Sequence, residues 1–584
     1  MKPFHRSVSA WELSSLWPVA HLFRGAAGLA CTGAASAAIV YSGAQNIAIT
    51  QDFEGVFINV TNFQSGQSAN SSWDLNPFFG GLGIANSPDF QPVRIGTGNE
   101  DSILSLALGT SIGSSSTFSS GWGGSGAEDD SGHVGPGASQ FTAGQTGYMG
   151  FKLIRDDTVN YGWMRVILTQ NGDTGSIVDW AYDTSGDSIL SGSVTDLGAA
   201  PLVRTAGTSD TLSASEAGTG ILMEAGAQLT FSEGSGGGVY SGQIDGAGEI
   251  RISGAGGLRL SGENKFSGSA SVLEGSRLTV GNTGNLGSSQ IKIGSSASLV
   301  FDSLSANNGS LNTFSNTISV DGQIATLDNS GSGKVILAGA ISSNGGSLGF
   351  SGGSFDVQGG IGGTGSLLKE GTGELTLSGA NTYSGDTTVR TGALVVNGTL
   401  AGTSAVVVES GGKLKGSGSI GGSVEVSGAL AAGNSPGVLT VSGSTNFSSG
   451  SVLEWDLDTE QSNPETNRGT AYDGLNTTSV SGSGAIFKIM LTGTQDFSDS
   501  FWDQSRIWTD IFKSADGGTN LSDWSSIFSG GFQYSYNGQT VEPTSSGSFA
   551  LSGSSLTWSA VPESSNVVAG LLAASALLRR RRVV

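Results

Sequence analysis

Acidic residues recur at every second position in Glu454, Asp456, Asp458 and Glu460, with Trp455 and Leu457 interleaved. On an extended strand this period places the four carboxylates on one face and the two apolar side chains on the other. Carboxylates so crowded repel one another unless water solvates them or a hard cation such as Ca2+ bridges them. A solvated outer face is the expected reading. A structural Ca2+ site held by Glu454, Asp456 and Asp458 is the alternative, and paired catalytic acids are the least favoured. A second polar cluster, Glu128-Asp129-Asp130 beside His133, lies among Gly and Ser and reads as an acidic loop.

Little else in the sequence invites chemistry. The only cysteine is Cys31 and the histidines are His5, His21 and His133, too few for a Cys/His zinc site. Gly359-Gly360-Ile361-Gly362-Gly363 lacks the Lys and Ser/Thr of a phosphate-binding loop and reads as a turn. A Ser-His-Asp triad would have to use His133, and no serine recommends itself as its partner. Trp73, Trp122 and Trp163 could stack on sugar rings, but core packing is the commoner role of isolated aromatics. No catalytic residue is nominated, and a non-enzymatic protein is expected.

The elements that position these residues are β-strands. Of 584 residues, 96 are Gly and 37% are hydrophobic, mostly Val, Ile, Leu and Phe spaced by Ser, Thr and Gly. That composition suits short strands and tight turns and implies an all-β chain. Formal net charge is −22 at pH 7, so the surface repels nucleic acid, and no nucleic-acid partner is expected.

The two ends depart from this pattern. Lys2 and Arg6 precede an apolar stretch from Gly25 to Ala30 and the small residues Ala35-Ser36-Ala37, an arrangement expected of a signal peptide cleaved after Ala37 and handled by the Sec export machinery. The C-terminus runs Val561-Pro562-Glu563-Ser564, then apolar from Val567 and Val568 through Leu571 and Leu572 to Leu577 and Leu578, then Arg579-Arg580-Arg581-Arg582. As a helix, Val567 to Leu578 would rise roughly 18 Å against a hydrocarbon layer of roughly 30 Å, so the span would be marginal. The four arginines would hold its end in the cytoplasm.

Motif, apolar segment and Arg cluster in that order resemble the PEP-CTERM sorting signal, with Ser564 in place of the family's second Pro. The resemblance implies a short C-terminal transmembrane helix, recognition of Pro562 and Glu563 by an exosortase-type sorting protease, and a cell-surface or extracellular destination, often beside exopolysaccharide. Losing both ends removes seven basic and two acidic residues, leaving 19 basic against 46 acidic in the mature chain.

Between the ends, Gly150 to Ile154, Tyr161 to Leu168 and Ile177 to Tyr182 are β-like runs separated by the turn signals Asp156-Asp157 and Asn171-Gly172. They read as a meander within a sandwich-like domain. From about residue 201 the chain becomes Gly/Ser-punctuated and repetitive. At an offset of 117 residues, Leu258, Leu260, Gly262, Asn264, Ser267 and Gly268 recur as Leu375, Leu377, Gly379, Asn381, Ser384 and Gly385, and Phe266 faces Tyr383. Such units cannot bury their apolar side alone but can do so when stacked as a solenoid. The unit resembles the autotransporter-associated β-strand repeat, which implies a right-handed parallel β-helix.

The expected organisation is a signal peptide over 1–37, an N-terminal β-sandwich-like domain over 38–200, a β-solenoid over 201–440, a solenoid continuation and cap over 441–558, and the sorting tail over 559–584. Trp502, Trp508, Phe501 and Phe512 are the residues available to close the solenoid's open end. The expected function is that of an exported structural or adhesive surface protein. A β-helix polysaccharide-active enzyme and a glycan-binding surface protein are the alternatives.

Overall fold

A computed structural model describes residues 39–67, 73–78, 81–121, 123–125, 140–169, 175–194, 201–302, 312–401, 405–461, 464–492, 497–543 and 547–561. These residues are all-β apart from short 3-10 turns such as Thr283–Leu286.

From residue 201 onward the chain winds into a parallel β-solenoid of about 11 turns. Consecutive turns pair in register, Leu258 with Leu278 and Leu278 with Leu299, so one circuit takes about 20 residues. Strands of three or four residues alternate buried and half-exposed positions, as Arg277–Val280 and Gln290–Ile293 do. Each inward Leu, Ile, Val or Phe meets its counterpart one turn away. The result is a single core running from Ala214 to Trp558. Every fully buried side chain of this type contributes roughly 1.5–3 kcal/mol, which supplies what no single turn could hold together.

Corners demand glycine for want of space. Gly359, Gly379, Gly398 and Gly418 stack in a column, and a Cβ on Gly398 would lie 2.1 Å from the carbonyl oxygen of Gly379. A buried lysine fastens another corner. Lys369, 1% exposed, donates from Nζ to the carbonyl oxygens of Glu370 at 2.6 Å, Gly371 at 2.9 Å and Thr391 at 3.2 Å.

Residues 39–194 form a separate antiparallel unit. The expected meander is present as Thr146–Arg155, Thr158–Ile167 and Gly175–Asp183, paired in that order. Asp156 and Asp157 both take positive φ, 46° and 63°, giving the two-residue hairpin loop their sequence suggested. The Asn171-Gly172 turn lies outside the described residues.

The sandwich expected for this unit does not emerge from its sheets. The six-stranded sheet is buried on both faces. Met149, Phe151, Leu153 and Met164 join one core with Ile58 and Leu75 of a four-stranded sheet, while Tyr148 and Trp163 enter another with Val93, Leu108 and Ile189. Alternation along the strands explains both cores, because odd and even positions are equally apolar here. Arg94, 0% exposed, braces the adjoining loops by donating to the carbonyl oxygens of Gly121 at 2.6 Å, Asp101 at 2.8 Å and Ser119 at 3.0 Å.

The far end of the solenoid is closed by aromatics. Trp502, Trp508 and Phe512 are fully buried there as expected, joined by Trp524, Phe549 and Trp558. Phe501 is half-buried beneath the Arg506 guanidinium, 3.7 Å from its ring centre. An antiparallel sheet of Arg506–Trp508, Ser555–Ala560 and Gly547–Ser552 lies over this cluster and ends the parallel stacking.

No described helix is long and apolar enough to cross a membrane. The expected C-terminal transmembrane helix, Val567 to Leu578, the motif residues Pro562, Glu563 and Ser564, the stop Arg579 to Arg582, and the cleavage site at Ala35 and Ala37 lie outside the described residues, and Val561 is the last one described.

Candidate functional site

The acidic row lies on the strand Val452–Asp458, whose alternation sends Trp455 and Leu457 into the core and leaves Glu454, Asp456 and Asp458 on the other face. The neighbouring strand decides what this face does. Glu454 pairs in register with Lys488, and its carboxylate bridges Lys488 Nζ at 3.2 Å and Lys413 Nζ from the opposite side. Burial opposes its ionisation, but the Lys413 hydrogen bond and the two ammonium charges outweigh this and hold its pKa below the usual range.

The other acids turn elsewhere. Asp458 accepts the Glu460 amide at 3.0 Å and Gln461 Nε2 at 2.8 Å, closing the turn after the strand. Asp456 meets Asp473, a residue from the following loop that the period-two pattern could not reveal. Asp473, 1% exposed, accepts the Gly437 amide at 2.7 Å and the Asp456 amide at 3.1 Å. Burial, then the charge of Asp456, pushes the Asp473 pKa well above the usual carboxylate range, and Asp456 is raised chiefly by burial as well. The sequence signal was the run Gly433-Asn434-Ser435-Pro436-Gly437, because a Cβ on Gly433 would lie 2.7 Å from Asp473 Oδ1.

The three acids named for the Ca2+ alternative, Glu454, Asp456 and Asp458, thus turn to separate partners. Among the described residues, no group of three or more His, Cys, Asp or Glu is placed to hold a metal ion. Lys413 from two turns back and Lys488 from the next turn neutralise Glu454 instead. The Glu128 to His133 cluster and Trp122 lie outside the described residues.

A second site lies where the N-terminal unit meets the first solenoid turns. Asp245 of the solenoid accepts the Val194 amide at 2.6 Å, and Leu222 enters a core of the N-terminal unit. The junction leaves a cleft of about 240 Å3 lined by Tyr41, Tyr148, Arg165, Asp179, Glu224 and Asp245 among others. Arg165 pairs with Asp179, its Nε 2.8 Å from Oδ1, and Tyr41 Oη donates to Asp179 Oδ2 at 2.7 Å. Burial, then the hydrogen bond and charge of Asp179, raises the Tyr41 phenol, and burial pushes Tyr148 up to about 12. Trp163 lines the cleft but is 2% exposed and donates Nε1 to the Ser193 carbonyl at 2.8 Å, so it is a packing residue.

Beside this cleft runs a groove of about 570 Å3 on the solenoid side, sharing Lys265 and Ser288 with it. Its other lining residues are uncharged and small, Thr283, Ser315, Asn316 and Thr317 among them.

An about 11-turn parallel solenoid joined to an antiparallel unit, with no metal cluster among the described residues, defines an elongated β-scaffold. Within it, residues 253–280 and 367–396 match the passenger-associated transport repeat family model. The two matches contain the two units spaced 117 residues apart. Repeats and solenoid together fit an autotransporter-like surface passenger protein. No curated protein matches the chain.

Proposed function

We propose that the chain is an exported, non-enzymatic structural or adhesive protein of the bacterial surface. The repeat matches on a long solenoid carry this reading, because a stack of short strands supplies reach and surface without a preformed reaction centre. Each carboxylate of the junction cleft already has a structural partner. Asp179 binds Arg165 and Tyr41, Glu224 accepts the Ala206 amide at 2.9 Å, and Asp245 accepts the Val194 amide. Acids so engaged favour scaffolding over hydrolysis.

In this proposal the Sec machinery exports the chain behind the 1–37 leader. An exosortase-type protease then reads Pro562 and Glu563 while Val567 to Leu578 sits in the membrane and Arg579 to Arg582 stay inside. Exopolysaccharide is the proposed neighbour at the surface. Fractionation of cells producing the full chain or one lacking 561–584, with mass spectrometry of the mature C-terminus, tests the route. A surface-associated product cut upstream of Arg579 is expected. A soluble cytoplasmic product still ending in Arg579 to Arg582 would refute it.

A further inference from the structure

We infer that the junction cleft and its adjoining groove form a binding site for a single strand of uncharged polysaccharide, with Tyr41 as the platform for one sugar ring. This deepens the adhesive reading by naming a ligand class and the residues that take it.

Tyr41 leads the case. The residue as a whole is 41% exposed, while its side chain is pinned by the Oη bond to Asp179 and its ring lies 6.4 Å from that of Trp163, centre to centre. A half-exposed aromatic already immobilised loses little conformational entropy on binding, and its face offers the apolar patch that the C–H face of a pyranose needs. The cleft's 240 Å3 lies below the ~300–1,000 Å3 of pockets for drug-sized molecules, so it accommodates roughly one ring.

The lining chemistry selects hydroxyls. Around Tyr41 stand acceptors on Asp179, Glu224 and Asp245 and donors on Arg165 and Lys265, so a hydroxyl can be met in either sense. Of the three carboxylates, Asp179 and Asp245 are each held by several protein donors, whereas Glu224 accepts the Ala206 amide on one oxygen, and an ionised carboxylate has lone pairs beyond that bond for a sugar hydroxyl. Among the described residues the Lys265 ammonium has no ion pair or side-chain hydrogen bond, and it stands where cleft and groove join. Three acids against two bases, on a chain of net charge −22, disfavour a polyanion.

The groove supplies length. It continues from Lys265 and Ser288 past Thr283, Ser315 and Thr317, whose short hydroxyls suit successive sugar units and present no wall of hydrophobic side chains. A site one ring wide that opens into a polar trough fits a chain better than a free monosaccharide.

Isothermal titration of the purified full chain with cellohexaose, laminarin and galactomannan, with alginate as the acidic comparison, tests this. Variants Tyr41→Ala, Lys265→Ala and the groove-filling Ser315→Trp are measured beside wild type, each checked for an unchanged melting temperature. Tyr41→Phe keeps the ring and guards against a folding defect in the alanine variant. Saturable binding of at least one neutral glycan is expected, weakened at least tenfold by Tyr41→Ala and by Ser315→Trp and less than threefold by Tyr41→Phe. No neutral glycan binding, binding of alginate alone, or binding indifferent to Tyr41 and Ser315 would overturn the inference. Because the protein is purified, these results do not depend on whether the export route holds.

Discussion

Asn264 and Asn381, both buried, perform the same task on different sides of the solenoid. Asn264 accepts the Ile244 amide at 2.8 Å and donates to the Asn285 carbonyl at 2.6 Å. Asn381 accepts the Ile361 amide at 3.0 Å and donates to the Thr399 carbonyl at 3.1 Å. Each amide thus ties its turn to the one before and the one after. The pairings Leu258 to Leu278, Leu299, Leu327, Phe350 and Lys369 take five turns, and Leu375 lies on the next strand of that last turn. The repeats are therefore five turns and one side apart and do not stack on each other.

Replacing Asn381 by Leu orphans the buried Ile361 amide, at a cost of about 1–3 kcal/mol, and removes the donor from the part-buried Thr399 carbonyl, which costs less. A loss of about 2–4 kcal/mol is expected in urea denaturation, with hydrogen exchange accelerating first in the turns around 361 and 399. Asn264→Leu should act separately, and the double variant should lose the sum of the two, because the sites share no partner. A strongly non-additive double variant would show that the two amides are not independent ties.

Asp473 makes stability fall as pH rises. Its folded pKa lies above the unfolded value of about 3.9, so the folded state holds the extra proton between the two. The stabilisation is fully present below the unfolded value and is lost progressively as pH climbs towards the folded one. Glu454, with its lowered pKa, acts in the opposite sense, stabilising above its unfolded value. Subtracting the Asp473→Asn melting curve from wild type, pH by pH from 4 to 9, isolates the first effect. Wild type should lose ground steadily relative to the variant, and a flat difference would rule out the buried acid pair as its source.

Lys413 and Lys488 already pair with Glu454, so calcium is not expected to stabilise this face. Glu454→Gln should cost about 1 kcal/mol, since Lys413 and Lys488 are partly solvated and screened. Millimolar CaCl2 should leave the melting temperature of both proteins unchanged. A saturable rise with calcium that vanishes in Glu454→Gln would restore the metal reading.

At the glycine column, Gly398→Ala forces a methyl against a backbone carbonyl that is itself fixed by the stack. Overpacking of this kind costs about 1–3 kcal/mol. The same change at Gly450, where a Cβ meets nothing within 4 Å, is the control for crowding. Gly450 has φ of 80°, so any loss there reports backbone strain alone.

Much of the scaffold was legible because the period of a strand and the spacing of Gly and Asn are local facts. The meander around Trp163, the alternation through Trp455 and the closing aromatics Trp502 and Trp508 were all read from such patterns. The phase of the repeats was not, because an offset of 117 residues does not divide into turns of about 20. Asp473 escaped because its partner strand lies in the previous turn. The cleft escaped because Tyr41, Asp179 and Asp245 meet only once the two units are folded together.

Protease shaving of intact cells, with mass spectrometry of the released peptides, addresses the surface role most directly. Peptides from 201–558 should appear without lysis, at levels far above those of cytoplasmic controls. Their appearance only after lysis would contradict a surface passenger.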